Sequence, residues 1–196
     1  MKEQLPALTG LRFLLALWVI LHHLLGNGMP LEAPAQALPH PLYAFLRGGY
    51  LAVATFFVLS GFVMASGYGS GDWDGPRLWR YTVARFARIY PVYVLSLALV
   101  LPFMVSSRAP GKSALIANYG LLLQGWTGHL PVGWNTPAWS LSCEVFFYIC
   151  FPAVIVAVRR VPPLALAAAA CLLTRALFLV GVRDEWKPLV HFADFL

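Results

Sequence analysis

The chain has 196 residues, of which 60% are hydrophobic and only 11% are charged. Since soluble domains carry about 25% charged residues, this composition excludes an ordinary soluble domain and predicts an all-α, polytopic transmembrane helical bundle. The formal net charge of +6 does not indicate a nucleic-acid partner, because the basic residues lie in short clusters and form no long basic run.

Apolar stretches predict about five to seven membrane segments. They cover residues 9–26, 48–68, 86–106, 114–125, 138–158 and 163–182, and a further one begins at 191–196. The fourth is too short to cross a bilayer, which takes about 20 residues, so we expect a re-entrant or interfacial piece. Basic residues prefer the cytoplasmic side. If the fourth segment does not cross the membrane, two crossings separate Arg88 from Arg159, so both arginines can lie in the cytoplasm.

The first segment places Arg12 and His23 on one face of a helix. Eleven residues return almost to the starting angle and separate the two side chains by about 16 Å along the axis. Such groups are expensive in lipid, so we expect them to face a protein interior or a water-filled cavity. His22 points elsewhere and is the weaker candidate. Alternatively, Arg12 extends to the membrane interface as a topology signal and His23 is an ordinary core histidine.

The third segment begins with Arg85 and Arg88, which are three residues apart and share a helix face. Two guanidinium groups there predict a forked anion site, because arginine suits bidentate phosphate binding. The open alternative is a surface anchor held by lipid phosphates. In the second segment, Ser60 and Gly61 are interpreted as a helix-packing site.

The fifth segment opens with the sequence WSLSCE, which ends at Glu144. An acid beside an apolar run indicates a functional site, although an interfacial acid paired with a loop arginine is the alternative. Ser140, Ser142 and Glu144 are spaced by two and cannot share one helix face. We therefore expect either a half-extended entry segment or only one functional serine.

Four stretches, in this order, resemble the acyltransferase 3 family of integral membrane acyltransferases: LTGLRFLLALWVILHHL, FFVLSGFV, ARFARIYPVYVL and PAWSLSCEVFFYICFP. Arg12 with His23 is similar to the first motif of the family, and Arg85 with Arg88 to its second. The segment from Trp139 to Glu144 is similar to its third.

The resemblance implies transfer of an acyl group, usually acetyl, from cytoplasmic acyl-CoA to a hydroxyl of a carbohydrate, glycolipid or similar acceptor. No permanently bound cofactor is implied, and the expected partners are acyl-CoA, the acceptor and membrane lipid. We expect a bacterial inner-membrane protein with a cytoplasmic N-terminus. The histidines lack ligand spacing, so no metal site is predicted.

An imidazole suits the removal of a hydroxyl proton, so His23 is predicted to be the general base or a transient acyl carrier. Glu144 is the second predicted catalytic residue, and it either orients the histidine or receives the acceptor. The predicted substrate-binding residues are Arg12, Arg85, Arg88, Ser142 and Trp139.

Two departures from the family pattern bear on these expectations. Many members have two adjacent glutamates in the third motif, whereas Val145 follows Glu144 here. Members also have about twice this length, so residues 1–196 are expected to be a partial transmembrane domain that lacks the C-terminal half. The alternatives are a transporter-like protein and an inactive truncated fragment.

Overall fold

A computed structural model of the chain describes residues 6–26, 29–106, 111–127, 134–179, 188 and 191. Within these residues the regular elements are all helical, which confirms the all-α class. The helices are α1 (Pro6–Leu24), α2 (Glu32–Gln36), α3 (His40–Arg47), α4 (Leu51–Tyr68), α5 (Gly75–Ser106), α6 (Lys112–Gly120), α7 (Trp139–Val158) and α8 (Pro163–Leu179).

Four helical stretches in the described ranges are long and apolar enough to cross a membrane: Ala7–Leu24, His40–Tyr68, Gly75–Ser106 and Trp139–Val158. A shorter apolar stretch, Leu164–Leu173, lies in α8. Together they account for five of the predicted segments. Most of the seventh segment lies outside the described residues.

The segment predicted at 114–125 does not cross a bilayer in this structure. Its helix, α6, has nine residues and is therefore about 14 Å long, less than half of the roughly 30 Å hydrocarbon core. The prediction that this segment is too short to span is confirmed.

The chain divides into two compact units, one of residues 1–67 and 195, the other of residues 68–194 and 196. Unit 1 is built where α1 packs on α4 around the buried side chains of Leu15, Ala52 and Leu59. A close approach also joins α1 to the turn before α4. A Cβ added at Gly49 would lie 2.5 Å from the Trp18 carbonyl oxygen, so only glycine fits there.

Unit 2 is held together by tyrosine hydroxyls that donate to backbone carbonyls of other elements. Tyr81 of α5 donates to the Tyr148 carbonyl of α7 at 2.8 Å. Tyr93 of α5 donates to the Tyr119 carbonyl of α6 at 2.6 Å. Both hydroxyls are buried, so each bond satisfies a polar group that would otherwise lack a hydrogen-bond partner. These bonds fix α5 against the elements on either side of it.

Two arginines order the loop between α4 and α5. Arg77 donates to the carbonyls of Tyr68, Ser70 and Asp72. Arg159, just after α7, donates to the carbonyls of Gly69 and Gly71. Both cationic side chains therefore bind the backbone of this loop.

Candidate active site

Arg12 is half-buried within unit 1, and its guanidinium lies 3.5 Å from the Leu59 carbonyl oxygen of α4. Arg12 therefore contacts protein. At this distance the hydrogen bond is weak, and the contact joins α1 to α4. The predicted role of Arg12 toward substrate stays a prediction.

The adjacent histidines have different surroundings. Nδ1 of His22 lies 2.6 Å from the Arg47 carbonyl oxygen, so it must carry the proton. The His22 ring also packs edge-on against Tyr50, with centroids 5.9 Å apart. His23 is exposed and meets the edge of the His22 ring at 5.4 Å.

The described residues do not enclose His23, and the expectation that it faces a protein interior or a water-filled cavity stays a prediction. Arg47 determines the surroundings of His22. Its carbonyl oxygen accepts a hydrogen bond from His22, and its Nη1 donates to the Leu25 carbonyl at 2.9 Å, which satisfies a carbonyl at the end of α1. His22 is held by these contacts, whereas the His23 ring is exposed.

In unit 2, Arg85 lies between two tyrosines. Its guanidinium carbon is 5.4 Å from the ring centroid of Tyr68 and 5.6 Å from that of Tyr148. Nη2 also lies 3.4 Å from the Tyr68 hydroxyl. Cation–π contacts with two aromatic rings stabilise the guanidinium in this position.

Tyr148 links this arginine to Glu144. Its hydroxyl donates to Oε1 of Glu144 one helical turn earlier in α7, and its ring faces the Arg85 guanidinium. We call Tyr68, Arg85, Glu144 and Tyr148 the Arg85 cluster. It joins residues of the second and third predicted motifs in one set of contacts.

Arg88 does not share this environment. It is exposed whereas Arg85 is half-buried, although the two residues are only three apart on α5. The two arginines thus differ in exposure, because the rings of Tyr68 and Tyr148 lie beside Arg85. The forked anion site that they were expected to form stays a prediction.

The start of α7 is helical from Trp139 onward, so the half-extended entry segment is wrong. Ser142 is 2% exposed, and its hydroxyl accepts a hydrogen bond from the Gly125 backbone N–H at 3.2 Å. Trp139 is half-buried beside His191, with ring centroids 5.4 Å apart. Ser142 thus binds the preceding loop, and its predicted role toward substrate stays a prediction.

Two members of the Arg85 cluster were missed by sequence reasoning. Tyr148 lies four residues after Glu144 and so on the same helix face, which is a signal that was available. Tyr68 meets Arg85 only through the fold. Among the described residues, no group of three histidine, cysteine or carboxylate side chains could hold a metal ion.

The family model of the acyltransferase domain Acyl_transf_3 matches residues 5–189. The chain therefore belongs to the acyltransferase 3 family. The resemblance found in the four sequence stretches is confirmed by this match.

Named relatives agree with the family. The chain is 37% identical over 168 residues to the acyltransferase MdmB of Streptomyces mycarofaciens, covering 81% of this chain and 41% of MdmB. It is 27% identical over 168 residues to the O-acetyltransferase OatA of Staphylococcus aureus, covering 77% of this chain and 24% of OatA. The chain thus spans less than half the length of these relatives. No solved structure matches it.

Proposed function

We propose that this protein is an integral membrane O-acyltransferase that moves an acyl group, usually acetyl, from acyl-CoA to a hydroxyl of a carbohydrate or glycolipid acceptor. Family membership and the names of the relatives support the acyl transfer. The observation that carries the assignment of residues is the Arg85 cluster, which links a cation, a carboxylate and a tyrosine hydroxyl from two predicted motifs.

The reaction needs one proton acceptor. The acceptor hydroxyl oxygen attacks the thioester carbonyl carbon, a C–O bond forms, and the C–S bond breaks. The hydroxyl proton passes to the imidazole of His23, which then protonates the leaving CoA thiolate. The exposed position of His23 supports this role, because a general base must come within hydrogen-bond distance of the substrate.

The arginines are proposed to bind the donor in two different ways. Arg88 is exposed and suits the phosphates of CoA, which are multiply charged and solvated. Arg85 contacts two aromatic rings and suits a fixed polar group of the donor. Arg12, next to the Leu59 carbonyl, is proposed as a third contact to the donor.

Glu144 is proposed to receive the acceptor hydroxyl group. Its Oε1 accepts a hydrogen bond from the Tyr148 hydroxyl, which restricts the rotation of the carboxylate. The proposed setting is the bacterial inner membrane with the N-terminus in the cytoplasm. The arginines at the start of α5 then lie on the side where acyl-CoA is found.

The test is acceptor-dependent release of CoA thiol by the full-length protein in lipid nanodiscs. Acetyl-CoA should release thiol when a sugar or glycolipid with a free hydroxyl is present, and much less without it. The matched control is the same acceptor with its hydroxyls methylated. Equal thiol release with the blocked acceptor, or none with any acceptor, would contradict the proposal. A transporter-like protein would take up a solute without consuming the thioester.

A further inference from the structure

A cleft lies between α5 and α7 within unit 2. Its volume is about 390 Å³, which falls within the range of small-molecule sites. The described lining is mostly apolar and aromatic, and Arg85 is the one charged side chain among these described residues. The residues that matter here are Thr82, Arg85, Phe86, Val145, Tyr148 and Ile149.

The cleft reaches the Arg85 cluster directly. Tyr148 and Arg85 belong to both, and Val145 is the residue that follows Glu144. A ligand in the cleft therefore has one end beside the proposed acyl-transfer residues and the rest of its length against apolar side chains.

The position of the cleft along α5 suits an amphiphilic ligand, which has one polar and one apolar end. α5 has 32 residues, so it is about 48 Å long and extends beyond a hydrocarbon core of roughly 30 Å. Its arginines all lie in the first half, and no charged residue follows Arg88 in this helix. The α5 wall of the cleft, from Leu78 to Tyr90, thus lies where polar and apolar surroundings meet.

We propose that this cleft binds the acyl chain of the donor, and that it makes the enzyme accept acyl groups longer than acetyl. The inference rests on the proposed function and adds the donor class to it. The volume has room for on the order of ten water-sized groups, many more than the three heavy atoms of an acetyl group. The single cation matches the polar thioester end of such a chain, and the apolar wall matches its methylenes.

The experiment measures binding, so that its outcome does not depend on turnover. Acetyl-, butanoyl-, hexanoyl- and octanoyl-CoA compete with radiolabelled acetyl-CoA for the full-length protein in nanodiscs. Each methylene that enters the cleft should tighten the inhibition constant by about fourfold, until the cleft is filled.

Two variants narrow the cleft from opposite walls, Val145→Phe on α7 and Thr82→Phe on α5. In both variants, the inhibition constant should no longer tighten with chain length, while the binding of acetyl-CoA is retained. Val156→Phe is the matched control. It adds the same bulk to α7 at an exposed position, 53% accessible, that does not line the cleft, and it should behave like the wild type.

Equal inhibition constants for all four donors would overturn this inference and leave the proposed function standing. A chain-length gain that persists in both narrowed variants would overturn it as well, since the chain would then bind elsewhere. Retention of a phospholipid by the wild type and its loss from the narrowed variants, without any chain-length effect, would assign the cleft to lipid instead. Failure of every acyl-CoA to bind would contradict the proposed function itself.

Discussion

The predicted functional residues have opposite surroundings in the two units. In unit 1, the favoured histidine, His23, is exposed, and the neighbouring His22 makes the contacts. In unit 2, Glu144 and Arg85 are both held by tyrosines in a connected set. Under the proposed function, α1 presents a reactive group to a ligand, whereas α5 and α7 build a pre-ordered polar cluster. Substitutions should therefore act on chemistry alone in the first case and through neighbours in the second.

The largest effect is expected at His23. His23→Ala should lower kcat by about 100-fold or more, because removal of a general base costs that much. Its exposed side chain contributes little packing, so membrane insertion and thermal stability should not change. His22→Ala is the matched control, and it should lower thermal stability more than kcat. If instead His22→Ala abolished transfer and His23→Ala did not, the base would be His22 and the comparison would reverse.

Glu144 and Tyr148 should show coupled effects. Glu144→Gln removes the charge and should lower kcat/KM by about 100-fold, whereas Tyr148→Phe removes only the hydrogen bond and should cost about tenfold. The double variant should be no worse than Glu144→Gln alone, because the hydroxyl acts through the carboxylate. Additive losses in the double variant would show that Tyr148 has a separate role.

The two arginines can be told apart by conservative replacement. Arg85→Lys loses the guanidinium contacts with Tyr68 and Tyr148 and should raise the donor KM by about tenfold. Arg88→Lys keeps an exposed charge and should change the donor KM little. Arg88→Ala removes the charge and should raise the donor KM by an amount that depends on the salt concentration. A donor KM that is unchanged when both arginines are replaced by alanine would assign them to membrane anchoring.

The smallest effect on chemistry is expected at two glycines of unit 1. Gly49→Ala would place a Cβ 2.5 Å from the Trp18 carbonyl oxygen and should destabilise the protein by about 1–3 kcal/mol. Gly10→Ala, where a Cβ would meet nothing within 4 Å, should be neutral or stabilising by up to about 1 kcal/mol. Thermal unfolding in detergent measures both, and equal melting temperatures would refute the close approach of Gly49 to α1.

Periodicity and composition predicted the long apolar helices, because burial of apolar side chains in lipid needs long helices. The short segment at 114–125 and the helix face shared by Glu144 and Tyr148 follow from length and spacing alone. The contacts of His22 could not be predicted, since they depend on where the Arg47 carbonyl lies after the chain turns back. The different exposure of Arg85 and Arg88 likewise depends on Tyr68 and Tyr148, which approach α5 only in the fold.

The most direct test of the central claim follows a radioactive acetyl group from acetyl-CoA in the full-length protein and in its His23→Ala variant. The account predicts that the wild type transfers the label to a hydroxyl-bearing acceptor as an ester, and that the variant leaves it on CoA. An equal rate of ester formation in the two proteins, with both correctly inserted, would contradict the claim that His23 carries the chemistry.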